Sequence, residues 1–108
     1  MIVVIPLGNA FYKQDNSSYK VLVTDSYEYN NPREDRILTW DFSIENESFN
    51  VSEASVLGNP TLYQVESIQA DKHYNTLLVA EEMEEHHKVM VLDLMTGEVL
   101  KEDLGDFN

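Results

Sequence analysis

Apolar and polar residues alternate with a period of two along almost the whole chain, in runs rich in Val, Ile, Tyr, Phe, Thr and Trp that are separated by clusters of Asp, Asn, Ser, Gly and Pro. Successive side chains of an extended strand point to opposite faces, so this spacing predicts an all-β chain. Strands are expected near 2–6, 19–27, 36–44, 48–56, 61–69, 75–82, 87–94 and 98–103. The turns between them fall at Asp15-Asn16-Ser17-Ser18, Asn30-Asn31-Pro32, Glu45-Asn46-Glu47, Gly58-Asn59-Pro60, Asp71-Lys72-His73 and Met95-Thr96-Gly97. Ser52-Glu53-Ala54-Ser55 carries a helix-start signal, with Ser52 as the cap, but it is too short to persist between β-rich flanks.

The two halves of the chain resemble each other. Val21-Leu22-Val23-Thr24-Asp25 aligns with Leu77-Leu78-Val79-Ala80-Glu81, and Ile37-Leu38-Thr39-Trp40-Asp41-Phe42 aligns with Val89-Met90-Val91-Leu92-Asp93-Leu94. Val56-Leu57-Gly58-Asn59 answers Asp103-Leu104-Gly105-Asp106. Each half, about 1–59 and 60–108, is therefore expected to be a four-stranded meander with an acid inside its third strand and a Leu-Gly stop. The spacing between matched segments drifts, so the loops differ in length.

The run Leu77-Leu78-Val79, Val89-Met90-Val91-Leu92-Asp93-Leu94, Met95-Thr96-Gly97-Glu98 and Val99-Leu100 resembles one blade of a β-propeller, and Leu38-Thr39-Trp40-Asp41 carries the likeness more faintly into the first half. Two blades cannot close a ring, since propellers need about four to eight. The expected architecture is a small antiparallel sandwich or barrel built from the two meanders in one domain, with assembly of blades from several chains as the alternative.

At 108 residues the chain is long enough to bury roughly two-thirds of its unfolded surface without disulfide or metal support. Its 43% apolar content separates it from disordered acidic tails. The absence of cysteine excludes disulfides, thiolate ligands and thiol chemistry. Met1-Ile2-Val3-Val4-Ile5-Pro6-Leu7 lacks the basic leader and length of a signal peptide and is expected to form an edge or first strand. No apolar stretch approaches the roughly 20 residues that span a bilayer. A cytoplasmic location is the expectation, and the Asn-x-Ser triplets at Asn16, Asn46 and Asn50 are taken as chance occurrences in an Asn/Ser-rich chain.

Motifs for chemistry are sparse. Glu81-Glu82-Met83-Glu84-Glu85-His86-His87 combines carboxylates and imidazoles, the donors of zinc, manganese and iron sites. On a helix Glu82 would share a face with His86, and Glu84 with His87; between two strand-like runs the segment is instead a solvated hairpin tip, so no metal is expected. His73 lies in a turn with no nucleophile motif to serve. Asp41 and Asp93 are expected to accept backbone hydrogen bonds at strand ends rather than to act as an acid/base pair. The glycines Gly8, Gly58, Gly97 and Gly105 are isolated, so no phosphate loop is present, and there is no calcium-loop pattern. Trp40 alternates with Leu38 and Phe42 and is expected in the core.

Charge carries the functional expectation. Twenty Asp and Glu stand against seven Lys and Arg, a formal net charge of −13. Nucleic acid and anionic membrane are repelled by such a chain. No basic residue lies between Arg36 and Lys72, and from Glu81 to Asp106 nine acids face only Lys88 and Lys101. The expected function is that of a non-enzymatic acidic protein, without cofactor, that occludes a basic nucleic-acid-binding or catalytic surface of a partner. Inhibitors, immunity proteins and phage counter-defence proteins, including nucleic-acid mimics, have this composition. Partner-binding carboxylates are expected at Glu81, Glu82, Glu84, Glu85, Glu45 and Glu47. The alternative is an oligomeric β protein that binds a small molecule between subunits; homo-oligomerisation is compatible with both.

Overall fold

The structure, a computed structural model, describes residues 8–28, 33–83 and 86–102. These form ten strands: β1 (Asn9–Lys13), β2 (Ser18–Glu28), β3 (Glu34–Glu45), β4 (Ser48–Val51), β5 (Ser55–Val56), β6 (Leu62–Tyr63), β7 (Val65–Asp71), β8 (Thr76–Met83), β9 (His86–Asp93) and β10 (Val99–Lys101). The chain is all-β, as the alternation predicts. Among the described residues no helix is long and apolar enough to cross a membrane.

Two antiparallel sheets result, and neither closes into a barrel. The second is a plain meander in the order β10-β9-β8-β7. In the first, β1-β2-β3 is followed by β4, β5 and β6, which all pair with β3. They meet it at Phe42–Glu45, Leu38–Thr39 and Glu34–Asp35 respectively, so three short segments share the position of one fourth strand. Each sheet is thus four strands wide. The expected strand at 2–6 and the Leu-Gly stop at 103–106 lie outside the described residues, and the first described strand is β1.

The expected strand 61–69 is broken. Gln64 adopts φ 46°, a left-handed conformation that ends β6 and redirects the chain into β7. Leu62 and Tyr63 therefore stay with the first sheet, and the passage between sheets falls at Gln64. Asp35 fixes this passage. Its fully buried carboxylate accepts the Val65 N–H at 2.7 Å, the Ser26 hydroxyl at 2.8 Å and the Arg33 Nε at 2.9 Å. A buried carboxylate held by a guanidinium, a hydroxyl and a backbone amide keeps its lone pairs satisfied, as a low-dielectric site demands.

The sheets pack face to face. Leu22 and Ile37 of the first and Leu77, Val79, Met90 and Leu92 of the second are buried in one cluster, with Leu57, Leu62 and Leu94 at its margin. At one edge the Gly8 backbone lies against Ser67 and Ile68. At the other, Gly58 and Gly97 meet backbone to backbone, both with positive φ, so that a Cβ on Gly58 would stand 2.7 Å from the Thr96 carbonyl oxygen. Only glycine fits both the conformation and the gap.

Trp40 departs from expectation. Its strand does bury alternate residues, but the buried set is Ile37 and Thr39, while Leu38, Trp40 and Phe42 project from the opposite side of the sheet and remain partly exposed. Both faces of β3 carry apolar residues, so period-two alternation alone could not say which one meets the second sheet.

Candidate interaction surfaces

Of the six acids expected to bind a partner, the four among the described residues do not form one surface. Glu45 and Glu47 sit at the tip of the β3–β4 hairpin, both exposed. Asn46 (φ 50°) and Glu47 (φ 64°) form a two-residue loop with both residues left-handed, the backbone of a type I′ turn. The turn between β1 and β2 lies beside this tip, because Ile44 N–H donates to the Ser17 carbonyl at 2.8 Å. Asp15 belongs to that turn, and hydrogen bonds from Ser17 and Ser18 hold its carboxyl below the ordinary range.

Glu82 is exposed at the far end of the molecule. Its N–H donates to Gln64, whose own N–H donates to Arg33 beside the start of β3. Glu34 and Glu45 bound a strand of 12 residues, so the two acidic ends are about 35 Å apart. Glu84 and Glu85 lie outside the described residues.

Glu81 corrects the expectation most sharply. It is 1% exposed and points into the space between the sheets, where its Oε2 accepts the Tyr63 N–H. Its Oε1 has no hydrogen-bond partner among the described residues. Burial raises its carboxyl above the ordinary range, against the opposing pull of the Tyr63 amide and of Lys88, which pairs with it across the ladder. Alternation explains the placement: Leu77, Val79 and Glu81 share the inner face.

The described residues of the Glu/His segment belong to the end of β8 and the start of β9, with Glu82 opposite His87 and Met83 opposite His86. Glu66, Glu82 and His87 bring one donor atom each within 4.8 Å of one another, all at the surface, and His87 Nε2 lies 3.4 Å from Glu82 Oε1. Among the described residues this trio is the set that could offer oxygen and nitrogen to a cation, with three exposed donors. It includes Glu66, which a bulge between Val65 and Ser67 presents and which the linear spacing did not single out.

Asp93 behaves as the turn acid expected of it: Oδ1 accepts the N–H groups of Met95 and Thr96, each at 2.9 Å, and these bonds lower its carboxyl below the ordinary range. Asp41 instead pairs with Lys20 at 2.9 Å and accepts from Gln14, which lowers it likewise.

The few cations are largely used within the molecule. Lys20 pairs with Asp41, Arg33 with Asp35, Arg36 with Asp25 and Lys88 with Glu102. Lys72 places its ammonium 2.8 Å from the Lys13 carbonyl and 2.6 Å from that of Gln14. Among the described residues no ion pair involves Glu45, Glu47, Glu53, Glu66, Asp71 or Glu98.

A second surface, unforeseen as such, is the outer face of the first sheet. Phe11, Val21, Trp40, Phe42 and Phe49 share it, with Val51 and Val56 at its edge. Phe42 stacks on Phe49 at 5.8 Å between centroids, and Phe49 is still 68% exposed. The signal for it was present: Val21-Leu22-Val23 and Ile37-Leu38 are apolar at consecutive positions, which puts apolar residues on both faces. No family model matches the chain, and no match was found among curated proteins or solved structures.

Proposed function

We propose that this chain is a non-enzymatic interaction protein that docks uncompensated carboxylates onto a basic protein surface. The observation that carries the reading is the internal use of cations. Five of the seven Lys and Arg are engaged within the molecule, so the exposed acids at the two ends keep their charge available to an outside partner. The docking groups are Glu45 and Glu47 at one end and, at the other, Glu66 and Glu82, the latter with no cation beside it among the described residues except the His87 imidazole. Glu81 takes no part, being held between the sheets.

A rigid two-sheet scaffold holds these side chains with little backbone entropy left to lose, and electrostatic attraction speeds encounter with Lys- and Arg-lined clefts. Occlusion of a phosphate-binding cleft, the role of an inhibitor, immunity or counter-defence protein, follows from that chemistry. Capture of a partner on the immobilised chain, repeated over a salt series, tests the reading. A basic partner released as salt rises supports it; a neutral or acidic partner retained at high salt overturns it.

A further inference from the structure

The internal repeat and the strand register together single out a sheet-to-sheet contact that the chain does not make within itself. The ladders obey the sequence alignment of the halves: Val23 lies opposite Leu38 as Val79 lies opposite Met90, and Leu22 opposite Thr39 as Leu78 lies opposite Val91. Under this alignment the inner face of the first sheet corresponds to the outer face of the second. Leu22 and Thr39, buried between the sheets, correspond to Leu78 and Val91, which stand at the surface or close to it. In the other direction, Val79 and Leu92 are buried, whereas their counterparts Val23 and Trp40 lie on the outer face of the first sheet.

One sheet-to-sheet contact is therefore made within the chain, and its repeat-related equivalent is left unmade. That equivalent would join the outer face of the second sheet to the outer face of the first. These faces lie on opposite sides of the sandwich, so a chain cannot make the contact with itself.

We propose that a second copy of this chain makes it, packing the outer face of its second sheet on the outer face of the first sheet of its neighbour. The lack of carboxylates on one of the two faces favours this pairing. On the first sheet, the outer positions of β3 from Leu38 to Ile44, and the residues beside them on β1, β2, β4 and β5, include no carboxylate, in a chain of net charge −13. Lys13 belongs to that face, and at its far end Arg36 is paired with Asp25 beside it.

Four strands about 4.8 Å apart, each contributing roughly 20 Å of length, present a face of on the order of 400 Å² per copy, the size of a weak, transient contact. Because the two surfaces differ, the contact is heterologous and either closes into a ring or continues from copy to copy.

The test is solution mass by sedimentation over a concentration series, with Trp40→Glu and Leu78→Glu as variants and circular dichroism to verify folding. The wild-type chain is expected to exceed the 12.4 kDa of one copy, and each variant to remain monomeric. An equimolar mixture of the two variants is expected to form dimers and nothing larger, because each retains the face the other has lost. If either variant fails to fold, Phe11→Glu and Gln69→Glu replace them. A wild-type chain that stays monomeric at hundreds of micromolar overturns the proposal. So does a Leu78→Glu variant that assembles like the wild type, which would mean that two first-sheet faces pair with each other, and so does a mixture that forms no dimer.

Discussion

Trp40 and Leu92 hold the same place in the two halves, opposite Val21 and Leu77 in their respective ladders, yet Leu92 is fully buried between the sheets and Trp40 is partly exposed on the outside. Identical strand positions thus carry different energies. In dilute monomer, Leu92→Ala is expected to cost about 2–5 kcal/mol through lost burial and a residual cavity. Trp40→Ala is expected to cost about 1 kcal/mol, the typical value for a substitution without such a cavity. Urea denaturation of both variants measures this, and equal losses would place Trp40 in the core after all.

Gly97 is constrained twice. Its φ of 76° is left-handed, and a Cβ there would stand 2.9 Å from the backbone of Leu57 and Gly58. The conformation alone costs an L-residue about 1–2 kcal/mol, and the clash adds to it by forcing the edges of the two sheets apart. Gly97→Ala is therefore expected to lose more than about 2 kcal/mol in denaturant melts, the conformational cost plus the clash. A loss below about 1 kcal/mol would show that the Gly58–Gly97 contact does not hold the sheets.

Glu81 makes stability depend on pH in a direction opposite to that of a salt-bridged acid. Burial raises its carboxyl in the folded chain, so the folded state binds the proton more tightly than the unfolded state does. Folding is then weakened as pH rises from the ordinary carboxyl range through the raised value, and the lost stability returns on acidification. Glu81→Gln keeps an oxygen for the Tyr63 N–H and removes the charge. Its advantage over the wild type is expected to be greatest near neutral pH and to fade toward acid pH. Parallel pH profiles for the two proteins would show that Glu81 is ionised in the fold without penalty.

Much of this architecture was legible in the sequence, because turn chemistry and alternation agree in both halves and because the repeat aligns the third strands around Asp41 and Asp93. The choice of inner face was not. Leu38, Trp40 and Phe42 form as regular a stripe as any core strand, and only the partner sheet decides that Thr39 and Ile37 face inward. Glu81 was hidden for the same reason: in a run of four nearby acids nothing local marks the one whose parity matches Leu77 and Val79. Asp35, which ties Val65 to the first sheet, depends on a contact 30 residues away that no short spacing reveals.

The central claim, that the uncompensated carboxylates of the two ends drive binding, is tested most directly by association kinetics. Wild type is compared with a variant carrying Glu45→Gln, Glu47→Gln, Glu66→Gln and Glu82→Gln, using an arginine-rich peptide as the basic probe. The four side chains are exposed, so the variant should fold normally by circular dichroism. Its on-rate is expected to fall by about tenfold at low salt, and the two rates to converge as the Debye length shrinks from about 10 Å at 0.1 M to about 3 Å at 1 M. Equal on-rates for both proteins at low salt, or a wild-type rate indifferent to salt, would contradict the account.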